Sequence, residues 1–278
     1  MPTISVDTEN STPVELYYED HGAGDPVVLI HGWPLSGRSW EKQVPALIGA
    51  GYRVITYDRR GFGESSKPWT GYDYDTLARD LDRLLTNLDL RNVTLVGFSM
   101  GGGEVARYLG THGAARVRRA VFVAAVTPYL LKATDNPVGV ELGVFDGIRA
   151  ALDGDRVAFL SGFFENFYNA DALRGTRLSD DVLRLSWNIA AGASPKATHD
   201  LVAAWGDDFR ADLGRITVPT LIVHGDADRI VPLEVAGQRM PALVKGSRLV
   251  VIKGGSHGLN WTHAAELNQA LLEFLRTS

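Results

Sequence analysis

Residues 93–103 read VTLVGFSMGGG, and this stretch decides the fold class. An apolar, β-branched run leads directly into the pattern G-x-S-x-G, and a helix-compatible stretch, residues 102–110, follows it. A strand, a sharp turn and a helix in this order place Ser99 at the tip of the turn, with its hydroxyl above the edge of a sheet. The glycines two positions away on either side let backbones approach closely. The pattern predicts a nucleophile, and the alternative is a glycine turn capped by a serine.

Short apolar runs alternate with helical patterns on both sides of this stretch. The runs predicted as strands are residues 14–19, 27–30, 53–57, 93–98, 120–126, 219–224 and 248–252. Most of them are continuously apolar, as expected of parallel strands covered by helices on both faces. The helical pattern of residues 74–88 has an outward polar face and Asp73 at its N-cap position. We predict an α/β protein with a mostly parallel central sheet flanked by helices.

The alternation stops near residue 127 and resumes near residue 212. The stretch between them is rich in Phe, Tyr and Trp, and has helical or irregular patterns without a convincing strand. A chain of 278 residues is long for a single compact core. We predict an α/β core, residues 1–127 and 211–278, interrupted by a helical cap insertion, residues 128–210.

Composition limits the classes of function. The net charge is −5, with acidic and basic residues interspersed, so no nucleic-acid surface is expected. No apolar window is long enough to span a membrane and the first residues lack an export pattern, which favours the cytoplasm and no membrane partner. The chain has no cysteine, and its seven histidines lack metal-ligand spacing. We therefore expect neither a metal nor an organic cofactor.

A serine hydroxyl needs a base to take its proton and an acid to orient that base. His257 lies in the glycine-rich loop 254–258, just after the predicted strand 248–252. Its alternative interpretation is a surface loop histidine. The acid lies in residues 224–228, HGDAD, where Asp226 suits a turn-stabilising side chain and Asp228 is freer to reach His257. The order Ser, Asp, His favours Ser99, Asp228 and His257 as the catalytic residues.

Backbone amides must stabilise the oxyanion that forms during acyl transfer. The Met100 N–H follows Ser99 at the start of the predicted helix, where the helix dipole is positive. The loop HGWP, residues 31–34, follows the strand 27–30 and positions the Trp33 N–H as the second donor. A turn with a packed tryptophan is the alternative. Residues 58–63, DRRGFG, lack the spacing of a phosphate loop and predict a local network of charges and hydrogen bonds.

These segments together resemble the cofactor-free bacterial haloperoxidases, also called non-haem chloroperoxidases or perhydrolases, and the closely related aryl esterases of the α/β-hydrolase superfamily. The matching segments are residues 31–34, 57–63, 96–103, 126–128, 224–228 and 256–258. The resemblance implies the same triad and the same two oxyanion donors. It also implies hydrolysis of small esters, and formation of a peracid from a carboxylic acid and hydrogen peroxide.

The resemblance associates Pro34 with better perhydrolysis, and relatives that open small lactams make amide or γ-lactam hydrolysis an alternative. The acyl pocket is expected to be small and apolar, although aromatic cap residues could equally be packing. The predicted pocket residues are Pro34, Phe98, Val126, Phe145, Phe159, Phe163, Phe164 and Ile230. The expected partners are a small ester, a carboxylic acid with hydrogen peroxide, or a lactam, and a homo-oligomer is left open. A non-catalytic small-molecule binding protein is the alternative from another class.

Overall fold

The computed structural model describes residues 2–276, which form one eight-stranded sheet covered by helices. The strands lie in the order β1-β2-β4-β3-β5-β6-β7-β8. Their bounds are β1 Thr3–Glu9, β2 Thr12–His21, β3 Pro26–Ile30, β4 Arg53–Tyr57, β5 Val93–Phe98, β6 Val117–Val123, β7 Thr220–Gly225 and β8 Arg248–Ile252. β2 pairs antiparallel with β1 and β4, and the other pairs are parallel. The predicted mostly parallel α/β sheet is confirmed.

Helices lie on both faces of the sheet. Their bounds are α1 Val44–Gly49, α2 Tyr74–Asn87, α3 Met100–Thr111, α4 Leu142–Phe167, α5 Ala170–Leu173, α6 Asp180–Ala191, α7 Pro195–Ala204, α8 Arg210–Leu213, α9 Leu259–Thr262 and α10 Ala264–Leu275. Asp73 caps α2 as predicted, because its carboxylate accepts the Thr76 N–H at 2.8 Å. Among residues 2–276, no helix combines the length and the apolar character that crossing a bilayer requires.

The central strands are apolar because both of their faces are covered. All residues of β5 and β7 are buried, and only the first residue of β3 is partly exposed. Since β3, β5, β7 and β8 run parallel, the loops that follow them leave the sheet at the same edge. Open α/β sheets bind their ligands at this carboxyl edge. The fold therefore brings four separate loops of the chain together.

Two strand predictions differ from the structure. β1 was not predicted, because this edge strand is mostly exposed and lacks a continuous apolar run. β6 was predicted at residues 120–126, but it begins at Val117 and ends at Val123. The chain leaves the sheet at Ala124, which has a φ of 45°. The apolar residues that follow belong to a buried loop.

Helices α4–α8 lie between β6 and β7 and form a layer beside the carboxyl edge. α4 packs against α5, α6 and α7, while α8 packs against α3 of the core. α4 is broken at Asp155, whose φ of −146° and ψ of 88° are not helical. The Asp155 carboxylate accepts the Ala158 N–H at 2.9 Å and so begins the second half of the helix. The division at residues 128 and 210 stays a prediction.

Candidate active site

Ser99 lies on a strained turn between β5 and α3, with φ of 53° and ψ of −118°. Two glycines make this turn possible. A Cβ atom on Gly97 would overlap the carbonyl oxygen of Gly101, and one on Gly101 would lie 2.5 Å from the carbonyl oxygen of Ile30. The Ser99 N–H donates to the Val123 carbonyl at 2.8 Å and holds the turn against β6. The spacing G-x-S-x-G thus follows from backbone contacts that no other residue allows.

His257 joins Ser99 to Asp228. Its Nε2 atom lies 2.9 Å from the Ser99 Oγ atom, and its Nδ1 atom lies 2.8 Å from the Asp228 Oδ2 atom. The ring is buried and contacts the rings of Phe98 and Phe167, at centroid distances of 5.3 Å and 4.9 Å. A carboxylate only accepts, so Nδ1 carries the proton and Nε2 is free to accept the Ser99 hydroxyl. The arrangement can move a proton from Ser99 to His257.

The Asp228 carboxylate is buried, and both of its oxygens accept hydrogen bonds. Its Oδ1 atom accepts the N–H groups of Ile230 and Val231, at 2.9 Å and 2.8 Å. Burial alone would raise the pKa of Asp228, but the charge of His257 and hydrogen bonds from His224 and His257 outweigh burial and lower the pKa. The group therefore stays an anion at neutral pH, as an acid that orients an imidazole must.

Asp226, the other candidate acid, is exposed, and it is Asp228 that bonds the imidazole. Its carboxylate accepts the Gly254 N–H at 2.6 Å and so ties the loop after β7 to the loop after β8. This is the turn-stabilising contact expected of Asp226. The structure brings Asp228, and not Asp226, to His257.

His224 is a fourth polar residue at this site, and the sequence reasoning did not include it. Its Nε2 atom lies 2.8 Å from the Val231 carbonyl and 3.3 Å from the Asp228 Oδ2 atom. The ring is fully buried, and a Cβ on Gly237 would lie 2.6 Å from its Nδ1 atom. A histidine ending a buried strand, four residues before the acid, was the signal that could have identified it.

The two backbone amides predicted as oxyanion donors, those of Trp33 and Met100, lie in segments next to Ser99. Met100 is the first residue of α3, so its N–H has no carbonyl one turn earlier to bond. Trp33 follows Gly32, where a Cβ would lie 3.0 Å from the Ser99 Cβ, which places this loop against the serine turn. Within residues 2–276, no backbone carbonyl accepts from the Trp33 or the Met100 N–H. This agrees with what an oxyanion donor requires, and the role of both N–H groups stays a prediction.

A mainly apolar cavity of about 440 Å³ opens at Ser99 and His257. The lining residues predicted from sequence are Val126, Phe145, Phe159, Phe163 and Ile230. The lining residues that were not predicted are Trp33, Leu130, Val140, Val144, Ile148, Ala158, Gly162, Asn166, Trp205, Arg229 and Val231. Most of the second group lie in the cap, where no local motif marks the residues that face the cavity. Arg229 and Val231 adjoin Asp228, and their position beside the acid was the available signal.

Two aromatic residues predicted for the pocket lie behind its wall instead. Phe98 is fully buried, with its ring 6.1 Å from the Trp40 ring and 5.3 Å from the His257 ring. The Phe98 ring packs against the imidazole ring of His257. The Phe164 ring is buried against the rings of Phe167 and Tyr168, at centroid distances of 5.5 Å and 6.2 Å, and does not line the cavity. Phe164 therefore packs inside the cap.

Pro34 was also predicted for the pocket and is not part of its lining. It is buried within a turn that the Leu35 N–H closes on the Gly32 carbonyl, at 3.0 Å. This turn directs the Trp33 side chain, rather than Pro34, towards the cavity.

The segment DRRGFG forms the predicted network of charges and hydrogen bonds. Arg59 and Glu104 make a fully buried ion pair at 2.5 Å, and Arg60 pairs with Asp80 at 2.6 Å. Burial raises the pKa of Glu104, and the charge of Arg59 opposes that effect. Since Glu104 belongs to α3, the network joins the loop after β4 to the helix that follows Ser99. Among residues 2–276, no group of three or more potential ligands is arranged to hold a metal ion.

Comparison with known proteins agrees with this architecture. Residues 25–264 match the family model described as the α/β-hydrolase fold. The chain belongs to the α/β-hydrolase family. This α/β hydrolase is 43% identical over 265 residues to a non-heme chloroperoxidase from Kitasatospora aureofaciens, covering 94% of this chain and 96% of the relative. It is 36% identical over 271 residues to a bifunctional esterase/perhydrolase from Acinetobacter calcoaceticus, covering 95% and 97% of the two chains.

A solved structure is also similar to this α/β hydrolase. A bromoperoxidase from Bacillus anthracis superposes with a TM-score of 0.96 at 54% identity, over 99% of both chains. The resemblance to the non-haem chloroperoxidases is therefore confirmed.

Proposed function

We propose that this α/β hydrolase is a serine esterase that acts on small carboxylic esters through an acyl-enzyme on Ser99. The observation that carries the proposal is the unbroken hydrogen-bonded chain from the Ser99 Oγ atom through His257 to Asp228, at the floor of an apolar cavity. A binding protein has no need of a strained serine aligned with a buried imidazole and a carboxylate.

Acylation begins when the Ser99 Oγ atom attacks the ester carbonyl while His257 Nε2 takes its proton. Asp228 stabilises the imidazolium that forms, and the N–H groups of Trp33 and Met100 bind the oxyanion. The bond to the alcohol then breaks, and His257 returns the proton to the leaving oxygen. The products of this step are the free alcohol and an acyl ester of Ser99.

Deacylation repeats these steps with a second nucleophile. His257 removes a proton from water or from hydrogen peroxide, whose oxygen attacks the acyl carbon, and Ser99 leaves with the proton. Water gives a carboxylic acid, and peroxide gives a peracid that can oxidise halide in free solution. When a carboxylic acid is the acyl donor, the acylation step releases water. The chloroperoxidase and esterase/perhydrolase named above support both outcomes.

Labelling with a fluorophosphonate probe tests the proposal. The probe should modify Ser99 and abolish hydrolysis of 4-nitrophenyl acetate, and Ser99→Ala should neither react nor turn over. Acetate with hydrogen peroxide and a halogenation indicator then measures peracid formation, and a bicyclic γ-lactam measures amide hydrolysis. Absence of labelling in folded protein would favour the binding-protein alternative, while a lactam rate above the ester rate would favour the amidase. The cytoplasmic location stays a prediction, and the oligomeric state stays open.

A further inference from the structure

The exposure of the cavity lining divides it into a floor and a rim. Ser99 and His257 are buried at the floor, whereas Val144, Asn166 and Arg229 are exposed at the rim. Among the lining residues within the described range 2–276, only His257 and Arg229 carry an ionisable acid or base in their side chains. A permanent cation thus stands at the opening of a pocket whose walls are otherwise mainly aliphatic and aromatic.

Arg229 is held in place from two sides. It directly follows Asp228, and its Nη1 and Nη2 atoms donate to the two carboxylate oxygens of Asp171, at 2.8 Å and 3.2 Å. The loop itself is tied to the cap, because the buried Asn169 amide donates to the Ala227 carbonyl at 2.7 Å. A guanidinium has five N–H donors, and these contacts use two of them. Three donors remain for a second acceptor at the rim.

We propose that Arg229 forms an anion subsite, so that the enzyme prefers esters that carry a remote carboxylate. The inference rests on the proposed esterase function and specifies its substrate class. An apolar wall accommodates methylene groups, and a guanidinium binds a carboxylate through charge-assisted hydrogen bonds. The carboxylate could belong to the acyl group, as in half-esters of dicarboxylic acids, or to the alcohol. Asp171 weakens the subsite, because it neutralises part of the Arg229 charge.

Two matched substrate pairs distinguish a carboxylate on the acyl group from a carboxylate on the alcohol. Ethyl hydrogen glutarate and ethyl pentanoate have five acyl carbons each and differ in the terminal carboxylate, while 4-acetoxybenzoate and phenyl acetate differ in the carboxylate of the leaving group. Proton release in a pH-stat gives kcat/KM for each ester. The quantity compared is the ratio of kcat/KM for the charged ester to kcat/KM for its neutral partner. Because both values come from one preparation, inactive protein cancels in the ratio.

Arg229→Gln should lower this ratio about fivefold in at least one substrate pair, which is the effect expected of a half-exposed ion pair. Arg229→Lys keeps the positive charge and should retain most of the preference for the charged ester. Asp171→Asn should change the ratio in the opposite direction, and salt should reduce both effects. Arg174→Gln is the control, because it removes the same charge from an arginine of equal side-chain exposure, 45% against 44%, that does not line the cavity. This control should leave the ratio within about twofold.

The results distinguish the inference from the function it depends on. If the esters are hydrolysed in a Ser99-dependent way but Arg229→Gln leaves both ratios unchanged, or Arg174→Gln lowers them equally, the anion subsite is wrong. If no ester, including 4-nitrophenyl acetate, is hydrolysed, the proposed esterase function fails instead.

Discussion

Replacing Asp228 by asparagine is expected to prevent His257 from acting as a base, while leaving the fold intact. The Asp228 Oδ1 atom accepts two backbone N–H groups, from Ile230 and Val231. An amide nitrogen in that place would face two donors, so the amide oxygen of the variant must stay there. The amide nitrogen then takes the place of Oδ2, 2.8 Å from the Nδ1 atom of His257. A donor at that position requires Nδ1 to accept.

The magnitude of the loss follows from this tautomer. When Nδ1 accepts, the ring proton moves to Nε2, which then cannot take the proton of the Ser99 hydroxyl. Loss of the correct tautomer in serine triads lowers kcat about 10⁴-fold, or about 5.5 kcal/mol of transition-state stabilisation. The contact is needed only in the transition state, so kcat and kcat/KM should fall together.

Hydrolysis of 4-nitrophenyl acetate measures the effect, and Ser99→Ala gives the background rate. Asp226→Asn is the matched control, because its amide oxygen can still accept the Gly254 N–H, which Asp226 accepts at 2.6 Å. The control should keep kcat within about threefold and lose some stability. A larger catalytic loss for Asp226→Asn than for Asp228→Asn, or a loss below tenfold for Asp228→Asn, would refute the assignment of the acid.

Three further predictions concern stability. Gly101→Ala places a Cβ 2.5 Å from the Ile30 carbonyl oxygen and should destabilise the protein by at least about 2 kcal/mol in urea unfolding; a change below about 0.5 kcal/mol would contradict the backbone contact. Arg59→Met leaves the buried carboxylate of Glu104 without its cation and should lower the free energy of unfolding by about 3–5 kcal/mol. Combining Arg59→Met with Glu104→Leu should restore most of this stability. Equal losses of stability in the single and double variants would count against the ion pair. Burial, assisted by the charge of Arg59, holds the pKa of His31 well below its ordinary value of 6.5, so stability is full above that pH and falls as the pH drops. The slope should reach about 1.4 kcal/mol per pH unit and be smaller in His31→Gln, and parallel pH curves for the two proteins would show that His31 is not the cause.

Strands could be located from sequence wherever both of their faces are buried. β4, β5 and β8 lie at the predicted residues, because each is a short apolar run between turn signals. β1 escaped detection since it lies at the sheet edge and buries little. The end of β6 was misplaced because residues 124–126 remain apolar after the chain has turned away from the sheet. Hydropathy reports burial, and it does not report hydrogen bonding between strands.

The polar centre of the site could be proposed from sequence because each residue lies in the turn or loop that follows a strand. The loops after β5, β7 and β8 leave one edge of a parallel sheet, so Ser99, Asp228 and His257 could be expected to lie together. His224 was missed, although its place near the end of a buried strand, four residues before Asp228, pointed to it. Its distance from the Asp228 carboxylate depends on how far the loop after β7 folds back on its own strand, and no local pattern encodes that distance.

The walls of the cavity were predicted less well, for a physical reason. Phe163 lines the cavity while Phe164 packs inside the cap, although the two are neighbours on α4. Helical periodicity separates their directions by about 100° but does not say which direction faces the core. That choice depends on how the cap rests on the sheet, which involves contacts between residues far apart in sequence.

Trp33 is one of the residues at which the sheet core and the helices between β6 and β7 meet. Its backbone N–H is a predicted oxyanion donor, and its indole N–H donates to the Thr198 carbonyl of α7 at 3.1 Å. Its ring also packs edge-on against Phe163 and Trp205, at centroid distances of 5.1 Å and 4.9 Å. The loop that carries this predicted donor is therefore fixed from the cap as well as from the sheet. Because an oxyanion donor acts only at a fixed position, we expect the cap to support the proposed chemistry through the Trp33 side chain as well as to shape the pocket.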